Sequence, residues 1–492
     1  MNDAGLNNIT ELLKVKSFFS KNVSEGILKK QSSFPSIDTV LENQKNIEQL
    51  KSIKDTSKID TVLEEIINLE KKLEFFYEKD NSLESLEEDT FGQLIFQQED
   101  FKIFNTIPFL LLILSYMKIY FVPLISIMLP IVMYFLPYLL IKYVWRMPMS
   151  YEMYQKIMGQ MISFSFDGSI EKLAQNAFTV FTFAQSMYQP IQNAMHLSTI
   201  NSTIYDLGKY LYDYTNSINQ LKSILESYNV SFKINNYLEY FCDNLDFRKN
   251  FSIILNNPTY LYLVSYSFSK FELLYSIAKN PRFNKVTLYN SESPFLSIKN
   301  CVDINLNEEK CVGSDFIIDV SSNHFLLSGP NGGGKSSFLR AIFQTILFSQ
   351  AFGYAIGDSI QLSMFDYIFS GLKIVDIPGE KSLFQKEVSF ASDILYFNNP
   401  KLKGLVLFDE IFHSTNPPDG IRTAEKFLTK LYTYKHMASI VSTHVFEIID
   451  SAPEFIKRVC IDASIEDNKL VYNYKLKDGI CKVSSVSEIW DA

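Results

Sequence analysis

Twelve residues, Leu326 to Ser337, constrain the fold of this chain more than any other stretch. They read Leu-Leu-Ser-Gly-Pro-Asn-Gly-Gly-Gly-Lys-Ser-Ser and fit the pattern G-x-x-x-x-G-K-[ST]. An apolar strand pattern precedes them, and Phe338, Leu339 and Ile342 begin a helical spacing after them. Glycines let such a loop curl until its backbone N–H groups point inward, and the next helix adds its positive N-terminal end. The stretch therefore predicts a phosphate-binding loop between a strand and a helix.

The loop supplies most of a predicted nucleotide site. Lys335 is expected to reach the β- and γ-phosphates, and the Ser336 hydroxyl is expected to ligate Mg²⁺, so ATP and Mg²⁺ are the predicted ligands. The alternative is a glycine-rich turn before an ordinary helix, which the order of strand, loop and helix disfavours. The predicted nucleotide-binding residues are Gly329, Pro330, Asn331, Gly332, Gly333, Gly334, Lys335, Ser336 and Ser337.

A second apolar run, Leu405 to Phe408, ends in Asp409 and Glu410. Asp409 is predicted to hold Mg²⁺ through water, and Glu410 to orient or deprotonate the attacking water. A third strand pattern ends at His444, which we assign as a γ-phosphate sensor. A lone histidine is more often structural, but a strand end in a nucleotide fold favours function. Glu410 and His444 are thus the predicted catalytic residues.

Four segments of the chain resemble the MutS family of ATPases, whose nucleotide domain is of the ABC type. One of them is similar to the family's signature loop, a Ser-Thr-Phe followed shortly by Glu. In that family the loop reaches the γ-phosphate of the partner subunit, so the resemblance implies a role in trans for Ser382 and a homodimer formed through the ATPase domains. The matching segments are Gly329–Ser337, Asp409–Ile411 with Ser414–Thr415 and Asp419–Gly420, Ser442–Glu447, and Lys381–Glu387.

The chain also departs from the family pattern. Gly332 stands where MutS proteins usually carry Met, and Leu383 replaces the signature Thr. Phe-His-Ser at 412–414 replaces a Gly-Arg-Gly stretch, and the prolines at 417–418 are expected to stiffen the loop that follows. These departures favour ATP binding over fast turnover. The Leu-Ser-Gly-Gly-Gln signature of ABC transporters is absent from the chain, which argues against half of a transporter.

Composition bounds the remaining possibilities. A chain of 492 residues with 47% hydrophobic residues can bury large cores and is expected to hold two or three domains. The net charge of -9 does not indicate a nucleic-acid binder, so any DNA contact requires a local basic surface. Five cysteines without metal-binding spacing suit a reducing compartment, and the first thirty residues do not resemble a signal peptide.

Residues 1–102 are predicted to form an N-terminal helical region. The hexapeptide Ile-Asp-Thr-Val-Leu-Glu occurs at Ile37–Glu42 and at Ile59–Glu64, and each copy contains a Thr-x-x-Glu capping box that predicts a helix start. Phe76-Tyr77-Glu78 resembles the Phe-x-Glu motif of mismatch-binding relatives, but Phe76 continues an apolar seam and is assigned to packing. The seam consists of Ile59, Val62, Ile66, Leu69, Leu73 and Phe76.

Residues 103–146 form a hydrophobic segment of a different kind. Ile119 to Ile141 is a run of 23 residues without a charge, long enough to cross a bilayer. An aromatic and basic edge of the type found at membrane interfaces follows at residues 142–146. The segment is predicted to associate with a membrane, as one span or as two short helices that turn near Lys118. The alternative is a buried helical hairpin in a soluble lever domain.

The predicted architecture is an α/β P-loop NTPase domain of the ABC/MutS type at 291–492, preceded by a largely α-helical core and lever region with a hydrophobic helical hairpin. Residues 147–290 form the helical core and lever. One function hypothesis is a dimeric ATPase that switches DNA binding in mismatch repair or recombination. The other is a membrane-anchored, ATP-driven switch that acts on a protein or on the membrane. We expect an intracellular, membrane-associated protein with the ATPase domain on the cytoplasmic side.

Overall fold

The structure, a computed structural model of the chain, describes residues 13–33, 36–77, 91–161, 170–306, 311–374, 381–397, 399–466 and 469–483. Two compact units divide the chain. One consists of Met1–Thr61, Leu221–Ile234 and Ser265–Ala492, and the other of Val62–Gln220 and Asn235–Val264. The architecture is a helical N-terminal region followed by a C-terminal α/β domain with mixed sheets.

The helical region contains long α-helices and short 3₁₀ segments. Its helices are α1 (Phe18–Ser33), α2 (Ile37–Ser52), α3 (Ser57–Lys72), α4 (Pro108–Val144), α5 (Tyr151–Met161), α6 (Ile170–Ser227), α7 (Phe247–Asn256) and α8 (Thr259–Lys279). The 3₁₀ segments are Glu74–Phe76, Gly92–Leu94, Glu99–Thr106 and Tyr237–Tyr240.

Both copies of the hexapeptide lie at helix starts, but their threonines are not the caps that the sequence predicted. The N-cap of α2 is Ser36, and α3 already begins at Ser57, so Thr39 and Thr61 lie inside the helices. The Thr61 hydroxyl donates to the carbonyl oxygen of Ser57 at 2.9 Å, four residues back along the helix. The six seam residues from Ile59 onward are each at most 8% exposed, as expected for a packing face.

The apolar segment forms one helix, α4, and not a hairpin that turns near Lys118. Its α-helical parts are joined and ended by π-helical turns at Met117–Phe121 and Leu140–Val144. The residues around Lys118 include no Gly, Asn or Asp that could reverse the chain, so the helix continues through this point. The helix is long and apolar enough to cross a membrane, and its most apolar window is not buried.

The chain reverses after α4 instead, between residues 145 and 150. Helix α5 then runs back along the end of α4, because the Tyr151 ring stacks on Phe135 and the Tyr154 ring packs against Tyr134 and Tyr138. The Tyr154 hydroxyl also donates to the main-chain carbonyl of Tyr134. The reversal therefore lies after the predicted hydrophobic segment, between α4 and α5, and not within that segment.

The α/β domain has two sheets. The strands are β1 (Phe283–Tyr289), β2 (Leu296–Cys301), β3 (Ser314–Ile318), β4 (His324–Ser328), β5 (Tyr354–Ile356), β6 (Ser359–Ser363), β7 (Tyr367–Gly371), β8 (Gly404–Phe408), β9 (Met437–Ser442), β10 (Lys457–Glu466) and β11 (Lys469–Asp478). One sheet has the order β3-β2-β6-β1-β5, and the other β11-β10-β4-β9-β8-β7. The helices among them are α9 (Lys335–Phe352), α10 (Leu383–Tyr396), α11 (Pro417–Leu431) and α12 (Phe446–Ser451).

The larger sheet positions the site. Its strands β10, β4, β9, β8 and β7 are parallel, and β11 runs antiparallel at one edge. Every residue of β4, β8 and β9 is buried, which is typical of the inner strands of a parallel sheet. Leu327 pairs with Ser442, and Phe408 pairs with Val441, so the carboxyl ends of these strands lie at the same edge. Ligands of open α/β sheets bind at such an edge.

Candidate functional site at the carboxyl edge of the sheet

The glycine-rich loop leaves β4 and enters α9, in the predicted order. Gly329, Gly332 and Gly334 have φ angles of 148°, 75° and 103°, a region that L side chains rarely adopt. The Gly333 N–H donates to the Pro330 carbonyl at 3.1 Å, and a Cβ atom on Gly333 would lie only 3.0 Å from that oxygen. The tight curl of the loop therefore requires glycine at these positions.

Lys335 is folded back over the loop. Its Nζ donates to the carbonyl oxygens of Gly329 at 2.9 Å and of Pro330 at 3.0 Å, and the residue is 3% exposed. Burial lowers the pKa of Lys335, while the nearby carboxylates of Glu410 and Asp409 act in the opposite direction. The predicted phosphate-binding lysine therefore lies close enough to both predicted carboxylates for their charges to interact.

The other loop residues line the start of α9. Ser336 is half-buried as the second residue of that helix. The Ser337 hydroxyl accepts a hydrogen bond from Arg340 Nη2 at 3.0 Å, and the Asn331 carbonyl accepts one from the Tyr472 hydroxyl at 3.1 Å. The loop is therefore held both by its own helix and by β11.

Asp409 and Glu410 lie just beyond the end of β8, which stops at Phe408. Glu410 has a φ of 52°, so a left-handed turn and not strand alternation directs its side chain. Its N–H donates to Ser442 Oγ at 2.8 Å, and the same hydroxyl donates to Asp409. His444 Nε2 lies 2.7 Å from Glu410 Oε1. The two predicted catalytic side chains are therefore in contact.

The contact with His444 favours the ionised form of the Glu410 carboxyl group. The hydrogen bond from His444 holds the pKa of Glu410 below its usual range, although partial burial acts against it. A carboxylate oxygen only accepts, so His444 Nε2 carries the hydrogen. Glu410 is thus ionised near neutral pH, as a residue that orients or deprotonates water must be.

The predicted Mg²⁺ ligands, Ser336 and Asp409, both offer oxygen atoms as donors. Within the described ranges, no group of three or more His, Cys, Asp and Glu side chains is placed to hold a metal ion by itself. Mg²⁺ in nucleotide sites uses one or two carboxylates and completes its shell with phosphate oxygens and water. A hydroxyl and a carboxylate at a phosphate loop therefore fit a Mg²⁺ that binds together with a nucleotide.

Ser382 is the N-cap of α10. Its Oγ accepts from the Gln385 N–H at 3.4 Å, and the Gln385 side chain accepts from the Ser382 N–H at 3.1 Å, which completes a capping box. Both residues are exposed. The predicted trans residue thus lies on the surface at a helix start, and its action on a partner subunit stays a prediction. The prolines at 417–418 are the first two residues of α11 and do not stiffen a loop.

Two tyrosines that the sequence analysis did not assign to the site lie against the loop. Tyr472 and Tyr474 are on β11, with ring centroids 5.7 Å apart and ring planes inclined by 20°. A Cβ atom on Gly334 would lie 3.4 Å from the Tyr474 ring, which is therefore close to the start of α9. Tyr474 is 43% exposed and has a φ of 54°. The sequence gives no regular signal for this placement, because the left-handed φ of Tyr474 interrupts the alternation of a β-strand.

A glycine-rich loop that leads from a buried strand into a helix, beside a strand that ends in carboxylates, is the arrangement of a phosphate-binding α/β domain. A family model described as MutS domain V matches residues 325–489. The DNA mismatch repair protein MutS of Lactobacillus helveticus (strain DPC 4571) is 30% identical over 172 residues, which are 34% of this chain and 20% of that protein. MutS of Lactobacillus delbrueckii subsp. bulgaricus (strain ATCC BAA-365 / Lb-18) is 27% identical over 199 residues, 40% of this chain and 22% of that protein.

A third relative, MutS of Staphylococcus epidermidis (strain ATCC 12228 / FDA PCI 1200), is 28% identical over 219 residues, which are 43% of this chain and 25% of that protein. Residues 325–489 of the chain are thus similar to domain V of the MutS family. It spans about a fifth to a quarter of the length of these relatives.

Proposed function

We propose that this protein is a MutS-type ATPase of the P-loop class that binds ATP with Mg²⁺ and hydrolyses it to ADP and phosphate. The observation that carries the proposal is the ionised Glu410, held 2.7 Å from His444 and close enough to Lys335 for their charges to interact. A buried cation at a phosphate loop and a carboxylate that can activate water are the two parts that hydrolysis of a phosphoanhydride requires.

The residues would act as follows. The N–H groups of the loop and the start of α9 bind the phosphates, and Lys335 turns from its loop carbonyls toward the β- and γ-phosphate oxygens. Ser336 and Asp409 would hold Mg²⁺, which neutralises charge on the phosphates. Glu410 orients the attacking water and accepts its proton, and His444 faces the γ-phosphate while keeping Glu410 in place. The exposed Tyr474 ring offers a surface for the adenine base.

A matched pair of glutamate substitutions tests the chemistry. Glu410→Gln is expected to bind ATP but to hydrolyse it at least about tenfold more slowly, because it removes the carboxylate that activates water. Glu425→Gln, an exposed glutamate of α11, serves as the control and is expected to hydrolyse ATP like the wild type. Single-turnover hydrolysis measures both. Unchanged turnover in Glu410→Gln would remove the basis of this assignment.

We further propose that two ATPase domains close head to tail and that each Ser382 completes the site of the partner. The exposed position of Ser382 at the start of α10 supports this arrangement, since a helix N-terminus can bind a phosphate group. Mixing Ser382→Arg with Lys335→Ala should then restore one intact site per mixed dimer. If no mixing ratio restores activity, each site works within one subunit.

The proposed dimer would use ATP to switch DNA binding, in mismatch repair or a related process. The relatives named above, which are DNA mismatch repair proteins, support this proposal. Contacts to DNA phosphates release counterions, so binding to duplex DNA should weaken steeply as salt rises, and ATP should change the affinity. Binding that is absent, or independent of both salt and ATP, would contradict the DNA role.

A second candidate function is a membrane-anchored, ATP-driven switch inside the cell, with the ATPase domain on the cytoplasmic side. The observation that favours it is α4, a 37-residue helix that could cross a bilayer. Between Leu124 and Leu140, all within the described residues, no side chain is buried. This candidate differs from the first in its partner, a protein or the membrane itself, and uses the same ATP chemistry.

A further inference from the structure

The segment that follows Glu410 is tied to α10 by polar contacts outside the proposed ATP site. Glu387 of α10 is 1% exposed, and its Oε2 accepts a hydrogen bond from the Ser414 hydroxyl at 2.6 Å. Its other oxygen, Oε1, lies 3.2 Å from His413 Nδ1. Glu387 and the 413–414 pair are about 27 residues apart in the chain, so these contacts join two separate elements.

His413 also contacts the main chain of the proposed water-activating residue. Its Nδ1 lies 2.8 Å from the carbonyl oxygen of Glu410. A carbonyl oxygen and a carboxylate both only accept hydrogen bonds, so Nδ1 must carry the hydrogen and share it between Glu410 and Glu387. The ring therefore bridges the main chain of Glu410 and the buried carboxylate of α10.

The backbone conformation of Glu410 needs support from neighbouring groups, and this bridge provides part of it. A non-glycine residue with a φ of 52° occupies a sparsely populated region and needs its surroundings to hold it there. Ser442 accepts from the Glu410 N–H at 2.8 Å on one side, and His413 donates to the Glu410 carbonyl on the other. The two contacts fix the peptide groups on both sides of the residue and hence the direction of its carboxylate.

We propose that His413, anchored by Glu387, is a positioning residue that holds Glu410 in the geometry needed to activate water. The inference rests on the proposed ATPase function and adds a positioning role for His413 and Glu387, neither of which is among the predicted catalytic, nucleotide-binding or metal-binding residues. Because Glu387 lies on the helix that Ser382 caps, the same bridge also couples the start of α10 to the water-activating carboxylate.

The experiment measures ATP affinity and single-turnover hydrolysis separately. His413→Ala should slow hydrolysis at least about tenfold and change ATP affinity by less than about threefold, because it disturbs the direction of Glu410 and not the phosphate loop. His413→Asn, whose side-chain N–H can occupy the place of Nδ1–H, should recover most of the rate. His196→Ala, at an exposed histidine of α6, is the control and should behave like the wild type.

A double-mutant cycle tests the anchor. Glu387→Ala should slow hydrolysis like His413→Ala, and the double variant should be no slower than the slower single variant, since both changes remove the same support. Thermal unfolding of each variant checks that the domain remains folded. Wild-type hydrolysis in His413→Ala, an Asn variant as slow as the Ala variant, or strictly additive losses would each overturn the inference while leaving the ATPase intact. Absence of hydrolysis in the wild type would overturn the proposed function, and the inference with it.

Discussion

The glycine-rich loop and the apolar helix α4 are both conspicuous in the sequence, but they differ in how far their side chains find partners in the fold. Around the loop, polar groups are paired inside the domain: Lys335 with two carbonyls, Glu410 with His444, and Tyr472 with Asn331. Along the exposed part of α4, large apolar side chains such as Leu129 and Met133 are 55% and 62% exposed. Contacts within the chain account for the residue types in the loop, whereas they do not account for the apolar side chains along the exposed part of α4.

This difference separates two kinds of inference. A motif that finds its partners within one chain can be assigned a chemical role from distances and charges. An exposed apolar helix requires another partner, because large contiguous apolar surfaces are rare on soluble monomers. Substitutions in α4 and in the glycine-rich loop test these two inferences separately.

The largest effect is expected from charges placed on α4. Leu129→Lys with Met133→Lys puts two lysines on one exposed face, and each costs about 3 kcal/mol in the middle of a membrane helix. The double variant should therefore leave the membrane fraction while binding ATP like the wild type. Gln192→Lys with His196→Lys, the same spacing on exposed positions of α6, is the control. Membrane pelleting with alkaline extraction is the measurement, and a wild type that remains soluble would contradict the anchor.

The next largest effect concerns the loop alone. Lys335→Ala should weaken ATP binding by about 4 kcal/mol, roughly a thousandfold, because it removes a buried charge from the phosphate site. Membrane association through α4 should not change. Lys430→Ala, at an exposed lysine of α11, is the matched control in equilibrium titrations with a fluorescent ATP analogue. Binding by Lys335→Ala as tight as that of the wild type would show that the loop does not hold phosphates.

A third prediction concerns how the stability of the α/β domain depends on pH. Burial lowers the pKa of His324 to about 4 from an ordinary value of 6.5, and its Nδ1 lies 2.8 Å from Ser439 Oγ between two strands of the larger sheet. Since the folded pKa lies below the unfolded one, the unfolded chain binds the proton first as pH falls. Stability should then drop by about 3 kcal/mol between pH 6.5 and 4 and level off below.

His324→Asn removes this titration and should flatten that part of the profile, whatever its effect on absolute stability. Denaturant unfolding at several pH values provides the test, and His196→Asn, at an exposed histidine of α6, is the control. An identical pH profile for wild type and His324→Asn would mean that the buried ring does not govern the acid stability of the sheet.

The smallest effect is expected at the tyrosines of β11. Tyr474→Ala should weaken ATP binding about tenfold, since stacking of a base on an aromatic ring contributes about 1–3 kcal/mol. Tripolyphosphate, which has no base, should bind wild type and variant equally. Tyr396→Ala, at a tyrosine that is 93% exposed, is the control. An equal loss for both ligands would assign Tyr474 to the shape of the loop and not to base binding.

Much of the site could be predicted because its signals are local. The loop, the strand before Asp409 and the strand before His444 each appear as short contiguous patterns, and parallel strands bring their ends together. The contact between His413 and Glu387 could not be predicted, because it depends on how α10 approaches the turn after β8. Nor could the sequence show that Glu410 lies in a left-handed turn, since glutamate has no preference for that conformation.

In the N-terminal helices, too, contacts between residues far apart in the chain could not be predicted from the sequence. Asn43 and Gln44 look like polar surface positions of a helix, yet both are buried. Asn43 donates to the carbonyl of Ala351 at 2.9 Å, and Gln44 donates to that of Gly353 at 2.8 Å. They satisfy carbonyl groups at the end of α9, the helix that begins at the glycine-rich loop. Pairing over about 300 residues leaves no periodic signal in the sequence.

Phe412 stands at a position where the resemblance to the family leads one to expect Gly, and it has a φ of 50°. This conformation costs about 1–2 kcal/mol for a residue with a side chain, but the ring is 3% exposed and packs near Phe384, Phe408 and Phe427. A glycine here would leave the backbone many alternative shapes. With the ring anchored, that conformational entropy is already lost in the folded protein, so holding the turn in one shape when a ligand binds costs less.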